Sequence, residues 1–438
     1  MKKNLKALKL NSEFMRYFSN TSWLFFDRIF KVFVGFLVIM YLTQYLGPKN
    51  FGLLSYSQSF VSIFMAFSSL GLSSIVIREL VKYPENIDVL LGTTFYLTLF
   101  TSLFSIVLIG FLNSFYFEES VSNTLVLIIS ISIVFQNLNI IIDSYFQYKV
   151  LSKYIVYVTS IGFIISSALK VLLIYNKAEL IYFAYALLFD SVVLSLGFIY
   201  IYKKQNLNIF FWKFDFSTAK YFLKIAWPLV WVAVSVFIYT RIDQVMIKHM
   251  IGDVAVGNYA AAIKVSELFY FIPGIIVSSL FPKLVELKKE NEARYLNLLE
   301  KMYRLVIWIS IPIAMGMFIF SDMIVNMLYG VDYREAGSIL SILSLGIVFI
   351  AVSTVFVKIL YVEQYEKKYL YKSMLGVLVN TVLNYVLIKV YGVMGAAFAT
   401  LITLFIINYI YDLFDKDLRK FYFLKIKSLS PYPLSKKL

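Results

Sequence analysis

Charge in this chain is clustered, and between the clusters run twelve apolar stretches of about 18 to 27 residues. That pattern constrains the fold more than any other feature. One helix needs about 20 apolar residues to cross roughly 30 Å of hydrocarbon. The stretches lack period-2 alternation and are about twice as long as a barrel strand requires, which excludes a membrane β-barrel. Only 15% of the 438 residues are charged and 60% are hydrophobic, against roughly 25% charged in soluble domains. Mean hydropathy is +0.78. The expected fold is an all-α integral membrane protein with about twelve transmembrane helices.

The predicted spans are 23–46, 52–77, 90–112, 121–145, 154–175, 180–202, 222–248, 254–281, 304–326, 337–361, 370–389 and 394–412. Lysine and arginine placement supports that count. With the N-terminus inside, cytoplasmic segments hold thirty basic residues and outside loops hold five. So strong a bias fits the positive-inside rule with an even number of spans and both termini cytoplasmic. The start, MKKNLKALKL, is basic but meets no apolar run before Trp23 and no small-residue cleavage signature. The first membrane helix is therefore expected to do the targeting. The formal net charge of +15 reads as topology and contact with anionic membrane lipids. No nucleic-acid-binding module is visible.

A long aromatic and basic segment, 203–221, divides the chain. The expected domains are an N-terminal lobe (1–202, helices 1–6), a cytoplasmic linker (203–221), a C-terminal lobe (222–412, helices 7–12) and a basic cytoplasmic tail (413–438). An internal echo supports the division. The turn after the first span reads YLGPKNFGLLSYSQS (45–59), and the turn after the seventh reads MIGDVAVGNYAAAIK (250–264). Gly47 and Gly52 match Gly252 and Gly257 in spacing. Repeats of this kind are common in secondary transporters. A tight helical hairpin also wants glycine at both ends.

Charges inside apolar spans are costly, roughly 2.5–3.5 kcal/mol each on translocon scales, and so they are informative. The first span carries Asp27, Arg28 and Lys31. Arg28 and Lys31 share a helix face, and Asp27 can neutralise Lys31 at i,i+4. Two readings stand: snorkelling to water, or an anion handle lining a cavity. Arg241, two residues from Asp243 in the seventh span, carries the same choice; Lys264 and Glu267 in the eighth are either a self-paired structural couple or cavity residues, and Lys358 in the tenth is either an end anchor or part of the handle. Asp143 and Asp190 are candidates for ion coupling, and Asp243 and Glu267 for ion coupling or charge balance. Gln136 and Asn139, with Asn380 and Asn384 four apart on one face, suggest either interhelical hydrogen bonds or a glycan-compatible surface. Pro228, Pro273 with Gly274, and Pro312 mark expected hinges or kinks, since proline removes a backbone donor. The aromatic stretch NIFFWKFDF (208–216) is expected to be an amphipathic surface helix.

Several classes are excluded. There is no cysteine, and the one histidine is His249, so neither a thiolate site nor a histidine-rich metal site is expected. No phosphate-binding loop, dinucleotide motif or HExxH occurs. No cofactor is expected. An active process would draw on an H+ or Na+ gradient.

The segment YLTQYLGPKNFGLLSYSQSFVSIFMAFSSLGLSSIVIREL (41–80) resembles the second-helix region of bacterial polysaccharide repeat-unit flippases, which serve O-antigen and capsule synthesis. They form part of the multidrug/oligosaccharidyl-lipid/polysaccharide exporter superfamily. The same resemblance appears at RIDQVMIKHMIGDVAVGNYAAAIKVSE (241–267), SSLFPKL (278–284) and NTVLNYVLIKVYGVMGAAFAT (380–400), and it spans roughly residues 15–412.

The resemblance implies two six-helix lobes related by a pseudo-two-fold axis around a V-shaped central cavity. It implies alternating access that carries an undecaprenyl-diphosphate-linked oligosaccharide from the inner to the outer leaflet of the plasma membrane. The polysaccharide polymerase machinery is an implied partner. Arg28 is then the first choice for the diphosphate, with Arg241 and Lys264 beside it and Lys31 and Lys358 behind. The protein would be a transporter and not an enzyme. Two rivals remain open: an ion-coupled small-molecule or drug exporter of the same superfamily, and a membrane-embedded enzyme acting on lipid-linked glycans. The second is disfavoured by the absence of any long outside loop in the predicted topology.

Overall fold

The computed structural model describes residues 2–116 and 120–430, with the side chains of 30–114, 121–360 and 362–430. Every regular element among them is helical. Hydrocarbon offers no hydrogen bonds, so a spanning backbone must pair with itself, and helices do this within one segment. Eleven of the described helices are long and apolar enough to cross a membrane. The first of these, Phe30–Lys82, is 53 residues long. It breaks at Gly47, where φ is 66° and ψ is 170°, so it carries two of the twelve predicted spans.

The helices form two compact units. The first comprises Met1–Leu42 and Val61–Val230. It holds both ends of α1 (Lys2–Ser68), then α2 (Leu72–Lys82), α3 (Ile87–Tyr116), α4 (Ser120–Tyr148), α5 (Ser152–Tyr175), α6 (Leu180–Lys204) and the start of α7 (Phe216–Met250). Helix α4 packs against α3, α2 and α6. The inner faces are polar and small. Thr94, Thr98 and Ser102 each return their hydroxyl to the carbonyl four residues back, which satisfies them without a distant partner. The buried Asn137 amide donates to Ser68 Oγ at 2.9 Å and Ser102 Oγ at 2.8 Å, tying three helices together. Outer faces are apolar, as at Phe100 and Val107, because lipid is the solvent there.

The aromatic segment after α6 does not form the expected amphipathic helix. It makes one short turn, Ile209–Phe211, and then runs extended. Trp212 is buried, its indole N–H donating to Tyr202 OH at 3.1 Å and its ring 5.5 Å from Phe95. Burial of one bulky anchor outweighs the amphipathic pattern.

The second unit comprises Thr43–Phe60 and Trp231–Leu438. Besides the end of α7 it holds α8 (Asp253–Glu267), α9 (Phe271–Glu290), α10 (Glu292–Ile319), α11 (Ser321–Tyr329), α12 (Arg334–Glu363) and α13 (Glu366–Tyr391). One continuous helix follows, made of α14 (Val393–Phe405), a π-turn (Ile406–Ile410) and α15 (Tyr411–Phe414), and α16 (Arg419–Ser428) ends it. Helix α12 is the centre, contacting α8, α9, α10 and α14. Tyr303, Val306, Val352, Phe356 and Phe421 are fully buried in its core.

Proline and glycine act here in specific ways. The eighth predicted span is two helices, since α8 ends at Glu267 and α9 starts at Phe271, which puts Pro273 and Gly274 in the first turn of α9. Pro228 and Pro312 lie inside α7 and α10.

The two echoed turns adopt matching backbones. Gly47 and Gly252 both have positive φ, 66° and 131°, where side chains are strained. Gly52 and Gly257 then let the two segments cross in contact. A Cβ on Gly52 would strike the Asp253 carbonyl, and one on Gly257 would strike the Pro48 carbonyl. The same segment is fastened by Gln44, which donates to the Leu328 carbonyl at 2.8 Å, and by Tyr333 OH, which donates to the Thr43 carbonyl at 2.8 Å. Gly257→Ala should therefore cost about 1–3 kcal/mol through overpacking, read as a lower melting temperature in detergent. Gly316→Ala, whose Cβ meets nothing within 4 Å, should be neutral or stabilising by up to about 1 kcal/mol.

Candidate functional site

The second unit contains a cavity of ≈ 420 Å³. Its wall is built by α7, α8, α12, α13 and α14, and most of it is apolar: Val236, Phe237, Ile263, Leu343 and Ile350. The polar groups converge in two patches.

The first patch is charged. Arg241 Nη2 on α7 lies 3.1 Å from Glu267 Oε1 on α8, and Lys264 Nζ lies 3.9 Å from Glu267 Oε2. The arginine and glutamate side chains are 28% and 31% exposed, so the pair is open to a ligand rather than sealed. Spacing explains the meeting. Lys264 and Glu267 are one helical turn apart on α8, and Glu267 is its last residue, so its side chain reaches across to α7.

The second patch is a buried carboxylate with hydroxyl and amide groups. Asp243 Oδ2 accepts from Tyr259 OH at 2.5 Å, and Oδ1 accepts from the Gln244 N–H at 2.8 Å. Tyr259 OH also lies 3.2 Å from Thr400 Oγ1. Asn380 donates to Thr403 Oγ1 at 3.4 Å, and Asn384 donates to Asn380 Oδ1 at 2.9 Å. Thr400 and Thr403 are one turn apart on α14 and show one face to the cavity. Formal charge in the site is balanced: Arg241 and Lys264 against Asp243 and Glu267.

Of the residues singled out in the sequence, Arg241, Asp243, Glu267 and Asn380 line this cavity. Lys264 and Asn384 each contact one of them, Glu267 and Asn380 respectively. The others lie elsewhere. Lys358 sits over the Phe281 ring at 5.1 Å. Lys31 donates to Thr159 Oγ1 at 2.5 Å in the first unit. Asp190 is paired with Lys170 at 2.5 Å and accepts from Ser166. Asp143 accepts from Gln147 at 2.8 Å. Gln136 bonds Ser132 on its own helix, and Asn139 joins α4 to α6 through Ser191 and Ser195. The Arg28 side chain lies outside the described ones. Sequence reasoning missed Tyr259, Thr400, Thr403, Ser266 and Tyr270. The one available signal was the i,i+3 pair Thr400 and Thr403 within an apolar run.

Residues 41–338 match the model of a family described as Polysaccharide biosynthesis protein. The chain is similar to the capsular polysaccharide biosynthesis protein CapF of Staphylococcus aureus, 23% identical over 404 residues, which cover 90% of this chain and 98% of that one. It also resembles a probable low-salt glycan biosynthesis flippase, Agl15, of Haloferax volcanii, 24% identical over 165 residues, or 37% of this chain and 35% of that one. Among solved structures, the lipid II flippase MurJ in an inward closed conformation superposes with a TM-score of 0.70 at 19% identity, covering 94% of this chain and 91% of that one. An inward-facing multidrug resistance MATE family transporter gives 0.71 at 13% identity, covering 92% and 96%. The fold is thus the one seen in these transporters.

The chain has no native cysteine, so single cysteines report directly on water. A cysteine at Ser353, in the cavity wall, should react with a polar maleimide. One at Ser310, 1% exposed, should stay unlabelled until the protein is denatured.

Proposed function

We propose that this chain, which belongs to the Polysaccharide biosynthesis protein family and has the fold of membrane transporters, is a transporter that flips a lipid-linked oligosaccharide. The cargo is an undecaprenyl-diphosphate-linked repeat unit, moved by alternating access from the inner to the outer leaflet of the bacterial plasma membrane. Both termini are cytoplasmic in this reading, and the unit feeds polymerisation into a capsule, O-antigen or related surface polysaccharide.

The observation that carries the proposal is Arg241, partly exposed in a cavity and paired with an internal carboxylate, Glu267. A guanidinium presents a fork of donors that fits diphosphate oxygens, and charge-assisted bonds are the strong ones. The arriving diphosphate displaces Glu267 from Arg241 and draws on Lys264. Until then Glu267 keeps the site neutral, which lowers the cost of holding a cation in a membrane. Two carboxylates then stand beside an anionic cargo. Glu267 and Asp243 are the places where an H+ or Na+ would restore balance, and this links flipping to an ion gradient. The cavity volume of ≈ 420 Å³ falls in the roughly 300–1,000 Å³ range of ligand sites. It suits the diphosphate and first sugar, with Asn380 and Thr400 toward the sugar and the polyprenyl tail left in lipid. Arg28 and Lys31, in the first unit, are proposed as anion contacts of their own.

A second reading, small-molecule export, draws on the largely apolar wall and its two carboxylates. One experiment separates them. In the native host the gene is deleted and complemented, and lipid-linked glycans are measured by mass spectrometry. Loss of the gene should accumulate a diphosphate-linked unit and abolish surface polysaccharide. Arg241→Gln at normal protein level should reduce export by roughly ten- to a hundred-fold, matching the about 1.5–3 kcal/mol of a hydrogen bond to a charged group. Unchanged glycans in the deletion strain would turn attention to small-molecule export.

A further inference from the structure

The C-terminal helix α16 reads in sequence as part of a hydrophilic tail, yet it is seated in the second unit. Leu418 and Phe421 are fully buried in the core with Tyr303 and Phe356. At its centre Lys425 is 0% exposed, as is Asp412 on α15, and Lys372 on α13 is 2% exposed. One carboxylate serves two ammonium groups. Lys372 Nζ is 2.9 Å from Asp412 Oδ1, and Lys425 pairs with Oδ2. Rings supply the remaining stabilisation: Lys372 lies 3.8 Å from the Phe356 ring centroid, and Lys425 lies 5.3 to 5.8 Å from Phe356, Tyr409 and Tyr303. Burying ions is costly unless they are paired and hydrogen-bonded, so this cluster is a specific arrangement. Burial pushes the Lys425 ammonium below the usual lysine range while Asp412 opposes the shift.

What Lys425 grips is the π-turn. Its Nζ donates to the Asn408 carbonyl at 2.7 Å, in the middle of Ile406–Ile410. The Asn408 amide in turn donates to the Leu404 carbonyl at 2.9 Å. A π-turn is one residue wider than an α-turn, so losing it turns everything beyond by about 100° relative to what precedes. Preceding it on the same helix are Thr400 and Thr403, which line the cavity. Beyond it is Asp412, tied to α13, the helix that also supplies Asn380.

We infer that Lys425 is a positioning residue for transport: it pins the π-turn and so fixes the cavity face of α14 against α13. This makes α16 a working part of the second unit, and the inference rests on that cavity being the cargo site. The ion pairs of Lys420 with Glu363 and of Lys427 with Glu300 hold α16 at its ends but do not touch the turn. Lys420→Gln is therefore the control.

The test uses nitroxide pairs in the full-length, cysteine-free chain, at Phe398 on α14 and Phe414 on α15, both exposed, on either side of the turn. Electron–electron distances are measured in nanodiscs, alongside export in the deletion strain at matched protein level. Lys425→Met leaves Asp412 paired with Lys372. It should shift the distance distribution and lower export by roughly two- to thirty-fold, the range for residues that couple to a site without contacting its ligand. Lys425→Arg should restore both, and Lys420→Gln should change neither. If Lys425→Met does not accumulate, Lys425→Gln, which keeps a donor for Asn408, is measured with the same expectations at smaller amplitude. An unchanged distance distribution, or a shifted one with full export, overturns the inference. Failure of the cargo reading is separate: it would appear as full export by Arg241→Gln.

Discussion

Hydrocarbon cannot accept or donate a hydrogen bond, and the rest of the structure follows from that constraint. Backbone groups close within helices. Side-chain polar groups then either turn back on their own helix, as the hydroxyls of α3 do, or bridge helices, as Asn137 does between Ser68 and Ser102. Charges obey the same rule more strictly. Among the described residues, Lys170 meets Asp190, Arg241 meets Glu267, and Lys372 and Lys425 share Asp412.

These ion pairs differ in what surrounds them. The Asp412 cluster is sealed, with aromatic rings on its open sides, and its energy goes into fixing geometry. The Arg241–Glu267 pair opens onto a cavity, and each partner keeps part of its surface. A sealed pair is expensive to break and cheap to keep. An open pair can exchange its internal carboxylate for an external anion, with a cation needed to neutralise the carboxylate that is released. Opening onto a cavity therefore separates a pair suited to binding from a structural one.

The echoed glycine turns show how local sequence reaches tertiary structure. Gly47 and Gly252 turn the chain with positive φ, while Gly52 and Gly257 remove the side chains that would keep two helices apart. The spacing was visible in the sequence. That the two copies cross each other was not, because two segments some two hundred residues apart carry no local signal of contact.

The sequence by itself determined the membrane class and the helical fold, since hydrophobic length is set by bilayer thickness and acts locally. It also marked Arg241, Asp243, Glu267 and Asn380, because a polar residue in an apolar run is conspicuous. Only the tertiary structure decided which of the marked residues share a cavity and which pair elsewhere. Asp190 looked as promising as Asp243 until its partners Lys170 and Ser166 were known. Lys425 was read as part of the basic tail, and neither Lys372 nor Asp412 was singled out, because each lies at the edge of an apolar run. Their burial comes from α16 folding back onto α10. The physical reason is the same in each case: hydropathy measures what one segment wants from its solvent, whereas pairing depends on neighbours that packing alone brings close.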